Sequence, residues 1–489
     1  MVPRAALGPL RPGPLHGLPD PVERHPGGHG DGGADHGRAH RRATGRARLQ
    51  RGRRGRAGAG GRSRAGARTG AEAAPTLRPL PPPPGPRPRR RRSEPPVNTS
   101  GHPLAGVRVV ELAGLAGSYG TMLLAGLGAE VIVVEPPTGH PLRHLPPHAP
   151  GVDAPESGLW FAAFATGKCS VVIDATTEGG RAQLGRLLVT ADLVVEDAGV
   201  DHYEALGLGR EALAAENPGL VWVSVTPFGL SGPKRDWKGS DLVAWAAAGV
   251  LYTIGFPDRP PVAPAGQVQL GHHLASLNAA IGGLLALRAR RSRGGAGQLV
   301  DISLAESCLW LAAETGSPLH LDDLVHRSRP GNRRPLTSPF GLYPCSDGFV
   351  SFLVLQPAHW KAMSKWMHEC TGNEAVLDPV FEDIRVRYEA MEAIGEWTEE
   401  LTRQFTKLHI FEEGQRRGIP VTPVNTIADL RADPHLEATG FWREHEHPAL
   451  GKLSGPREPF RTTPDLWSLS RAPLLGEHNT AVLGQATGG

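Results

Sequence analysis

The chain has 489 residues, with 53 Lys and Arg against 49 Asp and Glu and a net charge of +4. The positive excess sits at one end: residues 1–97 carry 21 Arg and 6 acidic residues, leaving 98–489 with 32 basic and 43 acidic side chains. Four scattered cysteines without a C-x-x-C pair exclude a disulfide scaffold and a structural zinc site, and they fit a reducing cytoplasm.

Residues 1–97 contain no Lys, no aromatic residue and no Ile, and they are dense in Pro and Gly. Such a segment buries too little apolar surface to offset its ordering entropy, so a disordered tail is expected. An Arg-rich arm can neutralise phosphates, the one route to nucleic acid in this sequence. Arg-rich and acid-poor also describes a targeting segment, although the Pro and Gly oppose an amphipathic helix. A third reading is out-of-frame translation of GC-rich DNA, with a true start at Val97 read as GTG. The Gly28, Gly30, Gly33 spacing follows no strand and carries no binding signal.

Ordered structure is expected from Leu104. Val107 to Leu112 reads as a strand, followed by a turn spaced by Gly114, Gly117 and Gly120, an apolar helix through Leu127, and a strand ending on Glu135. Near-continuous apolar strands of this kind belong to parallel sheets covered on both faces. The glycines and Glu135 would suit a dinucleotide's pyrophosphate and ribose, but the spacing is G-x-x-G-x-x-G, not the G-x-G-x-x-G of that fingerprint. His140, His144 and His148 have metal-ligand spacing for a helix, which Pro141, Pro146 and Pro147 forbid; no metal site is expected.

Strands at Val171–Ile173, Leu193–Val195 and Leu220–Val225 then alternate with helices, the pattern of an α/β sheet. A long helix is expected over Gly271 to Arg290, with a basic end that complements its dipole. A strand over Gln298–Ile302 and a helix from Leu304 follow. The charge-free run Leu242–Pro257 is shorter than the roughly 20 residues of a spanning helix. The longer run to Leu287 is broken by Pro264, Gln267, Gln269, His272, His273 and Asn278, so no membrane span is expected.

Residues 319–338 read as a linker. Phe340 to Leu355 reads as a hairpin pivoting on Ser346-Asp347-Gly348, and Trp360, Trp366 and Trp397 read as core or interface aromatics. The expected organisation is a tail over 1–97, the first part of a large domain over 98–318, a small domain over 339–418, and a return segment over 419–489 that completes the large domain.

Several blocks carry a resemblance: the opening unit, GSDLVAWAAAG from Gly239, GGAGQLVDISLAE from Gly294, GNRRPLTSPFGLYPCSDG from Gly331, GIPVTPVNT from Gly418, Asp433-Pro434-His435, and Pro473 to His478. Together and in this order they resemble the family III CoA-transferases, whose relatives include α-methylacyl-CoA racemases. The resemblance implies a Rossmann-like large domain with a smaller second domain, two chains interlocked as a homodimer, and a cytoplasmic enzyme. It also implies CoA transfer from an acyl-CoA to a carboxylic acid acceptor, with coenzyme A as substrate and product and neither metal nor NAD. In such enzymes an Asp attacks the donor thioester to give a mixed anhydride, CoA returns to form an aspartyl-CoA thioester, and the acceptor carboxylate then takes the CoA. Backbone N–H groups of Gly-rich loops would stabilise each oxyanion.

The resemblance places that Asp within Gln267 to Gly271, where this chain has no carboxylate. The nearest candidates are Asp258, in a turn before two prolines, and Asp241, which opens a helix and also suits an N-cap. For the racemase alternative, which needs an Asp in the same segment, His272 and His273 are the replacements at hand, although a polar first turn explains them too. The racemase alternative needs a His where Ser240 stands. Where the family commonly has Glu-Asn-Phe-Arg-Pro-Gly beside the CoA nucleotide, this chain has Glu196-Asp197-Ala198-Gly199. CoA anchoring is therefore expected of Arg143, Lys168 and the Gly117–Ser118 turn. A catalytically inactive CoA-binding homologue or partner subunit is the alternative.

Overall fold

A computed structural model describes residues 101–256, 258–263, 269–313, 331–333 and 337–484. The expected tail over 1–97 and most of the expected linker over 319–338 lie outside the described residues.

Six strands form one parallel sheet: β1 (Arg108–Leu112), β2 (Glu130–Glu135), β3 (Cys169–Val172), β4 (Leu193–Glu196), β5 (Val221–Thr226) and β6 (Leu299–Ser303), in the spatial order β3-β2-β1-β4-β5-β6. Successive side chains of a strand point to opposite faces. Val109, Val131, Leu193, Val195 and Val223 accordingly enter one apolar layer, while Val110, Ile132, Val194 and Trp222 enter another. The first layer includes residues of α1 (Leu115–Gly126), α3 (Asp241–Ala247) and α4 (Leu270–Ser292), and the second those of α2 (Glu178–Leu188). Burial on both faces explains why β1 to β5 are rich in Val, Ile and Leu. Helix α5 (Leu304–Ala313) follows the edge strand β6.

The expected glycine turn is shorter than the sequence suggests. Helix α1 begins at Leu115, so Gly117 and Gly120 lie inside it. A Cβ on Gly117 would stand 2.4 Å from that of Ala113 and 3.1 Å from Val195 Cγ1, so this glycine lets α1 lie close on β1 and β4.

Residues 340–423 form an antiparallel sheet of β7 (Phe340–Cys345), β8 (Gly348–Leu353) and β9 (Val421–Pro423). Trp360, Met363, Trp366 and Met367 of α6 (Pro357–Thr371), Ile394 and Leu401 of α7 (Met391–Thr402), and Ile410 of α8 (Lys407–Arg416) pack with it, and Trp397 joins at the margin. The third strand comes from beyond the expected boundary at 418. The end of the chain is less irregular than its sequence suggests: β10 (Trp442–His447) and β11 (Gly451–Pro456) make a hairpin of largely polar residues. The closing segment then docks on β3, where the Val172 N–H donates to Asn479 Oδ1 at 2.8 Å and the His478 N–H donates to the Ser170 carbonyl at 3.0 Å.

Candidate active site

The sheet grows outward in both directions from β1 and β4, and in such sheets ligands bind beyond the carboxyl ends of the strands where the order reverses. A cleft of about 600 Å³ opens there. Leu112, Ala113 and Gly114 after β1, Pro136 and His140 after β2, Ile173 to Thr176 after β3, and Asp197 after β4 line it, with Arg181, His202 and Tyr203.

Beneath the cleft lies a set of buried charges. Glu111, at 0% exposure, sits 2.6 Å from the Lys168 ammonium and accepts from the hydroxyls of Ser118 and Thr121. Burial alone would raise the Glu111 carboxyl, but the charges of Lys168 and His140 outweigh it and hold it below the ordinary value. Glu135 is also fully buried and takes the Arg143 guanidinium at 2.7 and 3.0 Å, together with the Ser170 hydroxyl. Arg143 also pairs with Glu156 at 2.8 Å, donates to the Pro473 carbonyl and lies over the ring of Phe161. The Glu135 carboxylate expected to meet a ribose in a dinucleotide fold is thus consumed inside the protein.

The four residues expected to anchor CoA lie in this same buried region. Arg143 and Lys168 are each 2% exposed and committed to carboxylates, Ser118 donates to Glu111, and Gly117 faces Ala113. The side chains of Arg143 and Lys168 turn inward, and a buried charge is tolerated only when its partners are supplied by the fold. His140 and His144 likewise pair with the carbonyls of Ala113 and Thr138, on either side of the one-turn helix Pro141–His144.

The nucleophile candidates fall in different settings. Asp258 is 74% exposed, and its carboxylate stands 3.9 Å from Arg259 Nε. Asp241 is mostly buried and spans two helices rather than capping its own. Its carboxylate accepts the His272 N–H at the start of α4 (3.0 Å) and Nε1 of Trp245 (3.1 Å), and it stands 3.3 Å from His272 Nδ1. Burial would raise the Asp241 carboxyl, but His272 outweighs it and keeps it below the usual range. Asp241 therefore satisfies donors that the start of α4 would otherwise leave unpaired. Gln269, the described residue before α4, has φ of +49°, and its Oε1 accepts from His272 Nδ1 at 2.8 Å. His273 lies among the rings of Tyr119, Trp160 and Phe164, with centroids at 5.5, 6.2 and 5.4 Å. Nearby Cys308 is no thiolate, because burial, reinforced by Asp241, pushes its thiol up to about 12.

Two neighbouring carboxylates stand at the end of β4, and Asp197 of the pair lines the cleft. Asp197 accepts the Gly114 N–H on both oxygens at 2.8 Å and the Ala116 N–H at 3.3 Å. Its neighbour Glu196 is buried, and desolvation pushes its carboxyl up to about 7. The folded state therefore holds a proton that the unfolded chain releases near pH 4.5, so this group's contribution to stability falls as pH rises from about 4.5 to 7. Glu196→Gln is expected to gain roughly 1–3 kcal/mol over the parent at pH 8 and nothing at pH 4, read from urea unfolding at both values. Equal effects at the two pH values would remove the argument.

A cleft at the reversal point of a parallel sheet defines a ligand-binding α/β protein, and comparison with known proteins sets its family. The chain belongs to CoA-transferase family III, whose sequence profile matches residues 104–479. It is 35% identical over 399 residues to the succinyl-CoA:(R)-benzylsuccinate CoA-transferase subunit BbsE of Thauera aromatica, covering 78% of this chain and 94% of that one. It is 34% identical over 386 residues to the succinyl-CoA–D-citramalate CoA-transferase of Chloroflexus aurantiacus, covering 78% and 93%. The crystal structure of a CAIB/BAIF family protein from Brucella suis superposes with a TM-score of 0.70 at 31% identity, covering 78% of this chain and 98% of that one.

Proposed function

We propose that this chain works in acyl-CoA:carboxylate CoA transfer, with the CoA thioester of a small dicarboxylic acid such as succinyl-CoA as donor. The observation that carries this reading is that it matches nearly the full length of relatives named for succinyl-CoA-dependent transfer. The cleft beyond β1 to β4 is the place for CoA, and the start of α4, with Asp241, His272 and His273, is the place for the acyl group. Pairing with a second chain is supported by the apolar side chains left outside on α4 and α5, where Ile281, Leu285 and Trp310 are 55%, 62% and 79% exposed.

One geometric observation favours a second reading. Asp241 is tied to α4, Asp258 faces solvent, and no carboxylate occurs from Gln267 to Gly271. In that reading the chain is a CoA-binding subunit whose covalent carboxylate comes from a partner, and the relative from Thauera aromatica is itself named as a subunit. Intact-mass spectrometry after incubation with succinyl-CoA, with and without hydroxylamine, separates the two. A self-sufficient transferase gains a hydroxylamine-labile adduct that disappears in Asp258→Ala or Asp241→Ala. CoA binding without an adduct on the isolated chain supports the subunit reading. Failure to bind any CoA thioester would discard both.

A further inference from the structure

The start of α1 faces the cleft, and the first amides of a helix readily receive an anion. Here the protein supplies that anion itself. The two oxygens of Asp197 each lie 2.8 Å from the Gly114 nitrogen, and one lies 3.3 Å from that of Ala116. Asp197 also lines the cleft; burial raises its carboxyl, while the Gly114 and Ala116 N–H groups favour the ionised form that faces whatever enters.

The remaining charged and titratable neighbours do not cancel this charge. Glu111 is matched by Lys168, His140 gives one ring nitrogen to the Ala113 carbonyl, and Glu196 is a second acid beside Asp197. Asp174, His202 and Tyr203 line the cleft, and Arg181 is the only arginine or lysine among the described residues that line it. One arm of the Arg181 guanidinium rests on the carbonyls of Ala175 and Thr176. The interior of the cleft is therefore apolar and acidic, with its cation set in the loop after β3.

We infer that Asp197 sets which part of a CoA thioester this cleft admits: an uncharged, hydrogen-bond-donating adenosine moiety goes in, and phosphates are kept out beside Arg181. This inference rests on the CoA reading above. A carboxylate with two N–H donors already bound retains capacity to accept from an amino or hydroxyl group, whereas a phosphate placed near it meets an uncompensated like charge. The family resemblance places Asn at this position, which would accept from the Gly114 N–H without the charge.

The test is calorimetric titration of the full chain, and of its Asp197→Asn and Arg181→Ala variants, with CoA, ADP and adenosine. Asn keeps the size of the side chain and an acceptor for Gly114, and thermal melts of each variant confirm folding. Asp197→Asn should tighten CoA and ADP about five- to tenfold and leave adenosine within about twofold, the scale of one like-charge contact screened by water in an open cleft. Arg181→Ala should weaken CoA and ADP by about tenfold and spare adenosine. If the parent binds CoA but Asp197→Asn leaves the ratio of ADP to adenosine affinity unchanged, the inference fails alone. If the parent binds none of the three ligands, the CoA reading fails with it.

Discussion

Lys168→Ala should unfold this protein more easily by about 3–5 kcal/mol, the cost of removing one partner from a buried ion pair. Glu111 and Lys168 are both about 1% exposed and 2.6 Å apart, so truncation strands a carboxylate that water cannot reach. The hydroxyls of Ser118 and Thr121 would remain as donors but bring no charge. The sign of the pH dependence follows. In the parent, Glu111 is held below its ordinary pKa, so its contribution is present at neutral pH and is lost as pH falls through the folded value. In the variant, burial acts without Lys168 and raises the same group, so stability is lost as pH rises. The gap between parent and variant therefore widens from acid to neutral pH, and urea unfolding at pH 4 and pH 7.5 would show it. Lys168→Met combined with Glu111→Leu should recover most of the loss, because it removes both charges and keeps the volume. A single variant within about 1 kcal/mol of the parent, or a double variant worse than the single, would contradict a paired interior.

That pair also shows where the sequence is legible and where it is not. The strands from Arg108 to Thr226 announce themselves because both their faces are buried, which forces apolar residues onto both faces rather than an alternation. The long helix was expected over Gly271 to Arg290 and spans Leu270 to Ser292, since its apolar stripe and basic end are local features. The hairpin at 442–456 escaped notice because WREHEH pairs with GKLSGP, neither of which has an apolar alternation to mark it. The same limit applies at the site. Lys168 and Arg143 read as phosphate anchors because a sequence gives the charge of a side chain but not its direction. Their partners, Glu111 and Glu135, lie 57 and 8 residues earlier in the chain, and only the stacking of parallel strands brings the first pair together. Asp197 was visible as an acid in a place where the family has Asn, yet its attachment to Gly114 depends on β1 and β4 being neighbours.

Gly120→Ala is expected to cost about 3 kcal/mol or more, above the usual range for one added methyl in a packed interior. Helices α1 and α4 meet so closely at this point that a Cβ on Gly120 would stand 2.2 Å from the Ser276 carbonyl oxygen and 3.0 Å from its carbon. Those are backbone atoms, so no rotamer change can make room and the helices must separate. Separation would also break the bond in which the Gly120 N–H donates to Ser276 Oγ at 2.7 Å. Two comparisons make the prediction specific. Gly179→Ala on α2, where a Cβ meets nothing within 4 Å, should be neutral or gain up to about 1 kcal/mol from reduced unfolded-state entropy. Ser276→Gly should not rescue Gly120→Ala, because the closest clash is with the main chain. The effect reaches the site through α4, whose first turn carries His272 and His273 and whose His273 ring packs 5.5 Å from Tyr119 of α1. Activity in the Gly120 variant should therefore fall even at temperatures where the chain stays folded. Rescue by Ser276→Gly would instead show that the helices can repack around a side-chain contact.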